Sequence, residues 1–458
     1  MSLWTWLKHK IHPTVKAITS LGGLINYQEN DPSTPELDIV KNIPALPNPC
    51  PPFSVLSFTG GDGIKGSVEN QAANVYCTIA FSLGYIQTKI ESPIIKWAAM
   101  NKLIANPRSG KMFNAYYDRY YLNFFYDNDP KTNQIIYTCD STDVVAHELG
   151  HAILDSIRPD LWSVQCVEIQ AFHEAFGDIN AILTALTFPE MINKALSETN
   201  NDLSKENTIS KLAEQMGVAI GHAMGNESKS LRNAVNNLQY APPETLPLFA
   251  PNDALSGEPH NFSRVFVGAW YDSFVNVYNY EKTRVSPEDA VINARDKMAK
   301  ITYNAIRFAN KTAKFFNAVL EAMLVYDTSR NLGCSQAIRD GFAKHNMTTA
   351  KKLNVNMVEQ DNQPIHAELN LVNFEGFSMI ENIERVVVEL ANHPAAEFVK
   401  GKNEIEDALH AAHHSLKILH SHDRIGHGPS VGKIHDKEFS FIDGKVVRNF
   451  YCCHFHKK

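Results

Sequence analysis

The chain patterns as an α+β protein. Two observations predict this class: the aromatic-rich run from Tyr116 to Tyr126 with Ile135-Ile136-Tyr137 reads as strands, and helical periodicity from Phe262 to about Thr349 reads as an all-helical region. A third lies between them, a helical stretch running from Asp143 through His151. At 458 residues the chain has room for two or three packed units, and 44% hydrophobic with 20% charged residues is ordinary for a globular protein. A formal net charge of -7 is mild, so electrostatics argue neither for nucleic acid nor for an anionic membrane surface as a partner. No run approaches the roughly 18 apolar residues of a transmembrane helix.

The stretch that organises the chain is Val144-Val145-Ala146-His147-Glu148-Leu149-Gly150-His151. With about 3.6 residues per turn, His147 and His151 share one helix face and can converge on one zinc ion. Glu148 turns away from the two ligands and stands where a general base for a zinc-bound water belongs. A catalytic zinc takes three protein ligands and keeps one position open, so a third should come from a nearby helix. Glu168 and Glu174 are the candidates. Glu174 is favoured because Asp178 follows it by one turn on the same face, where it can accept a hydrogen bond from a ligating His. Ala171, Ala175, Gly177 and Ala181 keep that neighbourhood small enough for close helix approach.

These residues resemble the thermolysin family of zinc endopeptidases, whose pattern V-V-A-H-E-x-x-H followed by E-A-x-x-D stands here as Val144 to His151 and Glu174 to Asp178. The resemblance covers roughly residues 70 to 345. Asn114-Ala115-Tyr116-Tyr117 is similar to the family's edge segment, which implies that Asn114 and Ala115 bind the substrate backbone. Leu231-Arg232 resembles the family's L-R pair, placing Arg232 on the substrate carbonyl. His260, Ser263, Ala269 and Tyr271 keep the spacing of a further block, in which His260 is the transition-state histidine. The resemblance implies a two-lobed thermolysin-like fold: a β-containing N-terminal lobe, the central zinc helix, a helical C-terminal lobe, and zinc at the bottom of the cleft between them. The implied activity is zinc-dependent hydrolysis of peptide or protein substrates, with a hydrophobic pocket walled by Val144 and Leu231. A catalytically impaired protein that keeps this fold for binding is the alternative. An aminopeptidase would need acidic anchors for a free amino terminus, and no G-x-M-E-N segment is present.

Departures from the family pattern are specific. The gap from His151 to Glu174 is about three residues longer than usual. Trp162 stands where the family has a Tyr that bonds the oxyanion, and an indole N–H differs in reach and angle. Ala185 replaces a calcium-binding carboxylate, which weighs against calcium although Asp143 survives.

Around this core the chain divides as 1–68, 69–160, 161–349 and 350–458. Met1 to Leu24 lacks the organisation of a signal peptide, and Leu3, Leu7, Ile11, Val15 and Ile18 fall at helical spacing, which suggests a docked amphipathic helix. Residues 25 to 68, rich in Pro, Gly, Asn and Asp, read as a loop or strap, and Glu69 to Ala105 as helical. Between Gln239 and Pro259 a Pro-rich loop brings Arg232 and His260 to the cleft, with Asp253 favoured over Glu258 to orient His260. Eleven of the 19 His lie beyond residue 350, among them His410, His413, His414, His420 and His422, but no set of three or four ligands emerges. Glu438 to Val447, with Asp443-Gly444 at its middle, reads as a hairpin. Seven Cys without framework spacing suggest free thiols, and the Asn261-Phe262-Ser263 sequon would set a glycan beside His260. Together these point to the cytoplasm, or to export without a classical signal peptide.

Overall fold

The computed structural model describes residues 20–61, 63–225, 227, 229–251, 253–349, 364–370, 385–391, 401–427 and 437–452. The proposed amphipathic helix of residues 1–18 lies outside them, as do His393, His435, Cys453, His454 and His456. Both helices and strands are present, in an α+β arrangement.

Residues 25–68 are more ordered than their composition suggests. Strands β1 (Ser20–Gln28) and β2 (Asp38–Pro44) form an antiparallel pair, and β3 (Phe53–Val55) follows the Pro cluster. Buried Ile25 and Tyr27 alternate with exposed or half-buried neighbours, a period of two that the surrounding Pro and Asn obscure. Helix α1 (Val68–Lys89) starts at Ser67, whose side chain accepts a hydrogen bond from the Asn70 N–H. It stops at Lys89 rather than continuing to Ala105. Pro93 disfavours helical geometry just before it, and Leu103–Asn106 is instead strand β4. Then come β5 (Ala115–Tyr117), β6 (Tyr121–Phe124), and the antiparallel pair β7 (Tyr126–Asn128) and β8 (Ile135–Tyr137).

Helices α2 (Thr142–Ile157) and α3 (Val167–Ala185) carry the His147-to-His151 segment and the Glu174-to-Asp178 segment. Pro189 opens α4 (Pro189–Thr199) at its first turn, where a missing N–H costs nothing. Two short strands, β9 (Lys211–Leu212) and β10 (Arg232–Asn233), pair antiparallel on either side of α5 (Glu214–Met224). The helical region expected from Phe262 onward consists of α6 (Pro259–Glu281), α7 (Pro287–Ala305), α8 (Phe315–Arg330) and α9 (Ser335–Lys344).

Beyond these lie β11 (His366–Asn370), β12 (Arg385–Glu389), α10 (Gly401–Ser421), β13 (Ile425–His427), β14 (Phe439–Ile442), β15 (Lys445–Arg448) and β16 (Tyr451–Cys452). Strands β14 and β15 form the expected hairpin, with Asp443 and Gly444 at positive φ in its turn. They belong to a five-stranded sheet ordered β11-β12-β15-β14-β13. Its Val386, Val388, Phe439 and Phe441 pack on Ala408, Ala412 and Leu416 of α10 as a separate core. The last strand, β16, leaves that sheet and joins the other one, ordered β16-β5-β6-β4-β3. It pairs antiparallel with β5, Tyr451 opposite Tyr117 and Cys452 opposite Tyr116. Phe450 and Cys452 complete a small cluster with Tyr116 and Phe125.

Candidate metal centre

His147 and His151 leave α2 one turn apart, their rings perpendicular with centroids 4.7 Å apart. Opposite them on α3, Glu174 places Oε2 3.5 Å from His147 Nε2 and Oε1 3.7 Å from His151 Nε2. One ligand atom from each of the three lies within 4.8 Å of the others, and all three residues are buried. Small residues allow this approach: a Cβ on Gly150 would meet Gly177 Cα at 2.8 Å, and one on Gly177 would meet His147 Cε1 at 2.7 Å. Asn180 ties the helices together, donating from Nδ2 to the Ala146 carbonyl at 2.7 Å while its Oδ1 accepts from the Tyr303 hydroxyl.

The donor set fits a cation. His147 Nε2, His151 Nε2 and Glu174 Oε2 are buried and have no hydrogen-bond partner. Leaving such groups unsatisfied costs about 1–3 kcal/mol each, and one ion bound among them would serve all three. His147 Nδ1–H donates to Asp178 Oδ1 at 2.8 Å, which turns the Nε2 lone pair toward Glu174. Burial works against a charged His147, but Asp178 and Glu174 outweigh it and raise its pKa to about 9. The carboxylates thus favour one positive charge at this point, and a metal ion can take the place of the proton. Burial, followed by the neighbouring His147, His173 and His260, holds His151 well below the usual range, in the neutral form a ligand needs.

Glu148 is fully buried on α2 beside these ligands. Arg232 is buried too, clamped on Asp178 by Nε at 2.8 Å and Nη2 at 2.8 Å. Burial would raise the Asp178 pKa, yet Arg232 and His147 bring it below the usual value. Val144 lines a cavity of about 10 Å³, room for one water, with His147, Asp178, Leu212 and Arg232. Leu212, Ala181 and Ala213 complete its apolar lining, and Leu231 is not among the residues around it. Asn114 and Ala115 stand at the start of β5, and Asn114 Oδ1 accepts from the Ala115 N–H at 2.9 Å.

His260 joins the group from the first turn of α6, its Nε2 3.4 Å from Glu174 Oε2. Its partner is Glu258 and not Asp253, which is exposed. Glu258 caps α6 by accepting from the Asn261 N–H with Oε2, and its Oε1 accepts from His260 Nδ1 at 2.8 Å. A carboxylate two residues away that must also cap the helix is fixed by the backbone, whereas Asp253 sits in the loop before the helix. Burial opposes a charge on His260, but Glu174 and Glu258 raise its pKa. Its Nε2–H donates to the Cys452 carbonyl at 2.6 Å.

The remaining residues singled out in the sequence take the following places. Glu168 lies apart from His147, His151 and Glu174, accepting from the Tyr240 hydroxyl at 2.6 Å and the Phe316 N–H at 2.8 Å. Trp162 directs its indole N–H to the Arg448 carbonyl at 3.4 Å. Asp143 accepts from the backbone N–H groups of Ala213 and Val144, so its carboxylate is engaged within the chain. Asn261 is buried and accepts from the Ser256 N–H, a setting with no room for a glycan. The six described cysteines form no disulfide with one another.

Sequence reasoning missed the residues that close over the group. Arg424 contacts Glu258 at 2.6 Å and His260 Nδ1 at 2.7 Å, and the Tyr451 ring stacks on His173 at 3.9 Å and lies 5.1 Å from His151. Both residues lie far down the chain in a region without motif. His260, Glu438 and Cys452 are also close enough to hold an ion, but Arg424 at 3.5 Å and Arg448 at 4.0 Å already oppose the Glu438 charge. No protein-family model and no curated protein matches the chain.

Proposed function

We propose that this chain is a zinc-dependent endopeptidase with a two-lobed, thermolysin-like architecture. The observation that carries the reading is the convergence of His147, His151 and Glu174, with His260 Nε2 3.4 Å from the same carboxylate. Two imidazoles and one carboxylate suit zinc and leave a coordination position open. When bound, the ion supplies Lewis-acid polarisation of a peptide carbonyl and lowers the pKa of a water.

The side chains divide the remaining work. Glu148 takes the proton from the attacking water and passes it to the leaving amine. His260, held by Glu258, donates its Nε2–H to the oxygen on which charge develops. Asp178 fixes the His147 ring and the Arg232 fork together, so metal ligand and substrate-carbonyl donor share one anchor. Asn114 and Ala115 offer the substrate backbone partners at β5, and Val144 offers an apolar wall for the residue after the cleaved bond.

Zinc analysis with mass-spectrometric cleavage mapping of a denatured protein mixture, on wild type and Glu148→Gln, tests the reading. Zinc in both proteins and cleavage sites in wild type alone are expected. A second reading, a peptidase fold kept for binding, is favoured by Trp162, whose N–H serves Arg448 instead of the site. Zinc without cleavage in either protein, also after the C-terminal segment is released, is its signature.

A further inference from the structure

The peptidase reading expects an open cleft, yet His147, Glu148, His151, Glu174 and His260 are all at most 2% exposed. The cover comes from the chain itself. Without β16, β5 would be the edge strand of its sheet, offering unpaired N–H and C=O groups beside the metal ligands. An extended peptide adds to such an edge as a further strand, and β16 does this in antiparallel register. The Cys452 carbonyl then accepts from His260 Nε2 at 2.6 Å, the nitrogen that also lies 3.4 Å from Glu174. Tyr451 roofs the ligands, stacked on His173 and T-shaped to Trp162.

We propose that Asn449–Cys452 is an intramolecular occupant of the peptide site: it lies along β5 as a substrate would, presents the Cys452 carbonyl to His260, and keeps the chain latent until displaced. This rests on the peptidase reading of the site. The segment follows directly on β15, whose last residue Arg448 donates to the Phe450 carbonyl at 3.3 Å and stacks over the Tyr451 ring at 3.6 Å. A short tether gives an effective concentration on the order of millimolar, so a dilute peptide substrate competes poorly. The hold is nevertheless reversible in kind. Among the described residues the ladder consists of two pairs, and the Tyr451 hydroxyl is buried without a hydrogen-bond partner. A peptide that pairs along the whole of β5 and leaves no orphan hydroxyl makes the better occupant.

The test uses the full-length, zinc-loaded protein and two readouts: hydrolysis of a fluorogenic peptide, and alkylation of Cys452 by N-ethylmaleimide, located by peptide mass spectrometry. Tyr451→Ser is expected to raise both rates by about ten-fold or more, since the tethered competitor is weakened. In wild type, where folding is not in question, a leucine-containing dipeptide hydroxamate should speed Cys452 alkylation as it displaces the segment. Hydroxamate binding that leaves Cys452 protected would overturn the proposal, as would peptide turnover that is measurable in both proteins and equal in wild type and Tyr451→Ser. The two readings separate cleanly. If Tyr451→Ser exposes Cys452 and tightens hydroxamate binding but cuts no peptide, the occupant stands and the peptidase reading falls.

Discussion

Two carboxylates leave α3 six residues apart, equally buried and each with histidines near it, and they have opposite chemistry. Around Glu168 the helix borders a cavity of about 150 Å³ lined also by Asp407, His410 and His414. Both Glu168 oxygens are served there, one by the Tyr240 hydroxyl and the other by the Phe316 N–H. Around Glu174 the oxygens face imidazole nitrogens of His260, His147 and His151 at 3.4, 3.5 and 3.7 Å, and Oε2 has no hydrogen-bond partner. The number of acids and histidines does not distinguish the two ends. What differs is whether neutral donors already satisfy the carboxylate; where they do, a cation gains little by entering.

The largest effect should come from exchanging that satisfaction. Glu174→Gln removes one of the three proposed ligands and is expected to lower bound zinc after dialysis from about one equivalent to near zero. Glu168→Gln and the double variant His410→Ala/His414→Ala should keep the full equivalent by the same elemental analysis. Retention by Glu174→Gln together with loss from Glu168→Gln would reverse the assignment of the two ends.

Next in size is His260→Ala, made in the Tyr451→Ser background so that the occupying segment does not mask turnover. Losing a preorganised donor to developing charge typically costs about 10²- to 10³-fold in kcat, with little change in KM. Zinc content should stay at one equivalent, because His260 contacts Glu174 without completing the ligand set. A variant that loses zinc with its activity would make His260 a ligand. Asp178→Asn follows, with an expected loss of about 10- to 100-fold in metal affinity from the weaker hold on His147. It also leaves the buried Arg232 fork against a neutral amide, so a lower melting temperature should accompany it. Unchanged zinc affinity would show that the His147 orientation is set by helix packing alone.

Legibility in the sequence followed the same division between local and distant constraint. His147, His151, Glu174 and Asp178 could be read because helical spacing converts position directly into direction, and Ala171, Ala175, Gly177 and Ala181 mark a face small enough for close helix approach. The orienting partner of His260 could not be read by proximity alone: Glu258 and Asp253 were both close, and only the capping geometry of α6 separates them. β1 and β2 were hidden by a Pro- and Asn-rich composition that suits loops, although Ile25, Tyr27 and Ile43 face the core. The cover over the site was the least visible part. β16 is two residues long, and pairing with a strand more than three hundred residues earlier leaves no periodic trace.

The smallest effect concerns pH and returns to Glu168. Burial pushes its pKa up to about 7, against the pull of the Tyr240 and Phe316 hydrogen bonds. A carboxyl group whose folded pKa is raised binds its proton more tightly in the folded state. Its stabilising contribution is therefore complete below the ordinary carboxylate value and is lost as pH rises through about 7. Gln at this position stays neutral throughout and can keep both contacts, its carbonyl accepting from the Phe316 N–H and its amide donating to the Tyr240 oxygen. The melting temperature of Glu168→Gln relative to wild type should accordingly rise between pH 5 and pH 8, by about one degree for each kcal/mol of difference in a chain of this length. Glu29 and Asp143 also have pKa values raised to about 7 by burial, but they titrate alike in both proteins and cancel in the comparison. A difference that stays flat across this range would mean that Glu168 is ionised at its ordinary pKa, and that an anion, not a neutral acid, fills the first turn of α3.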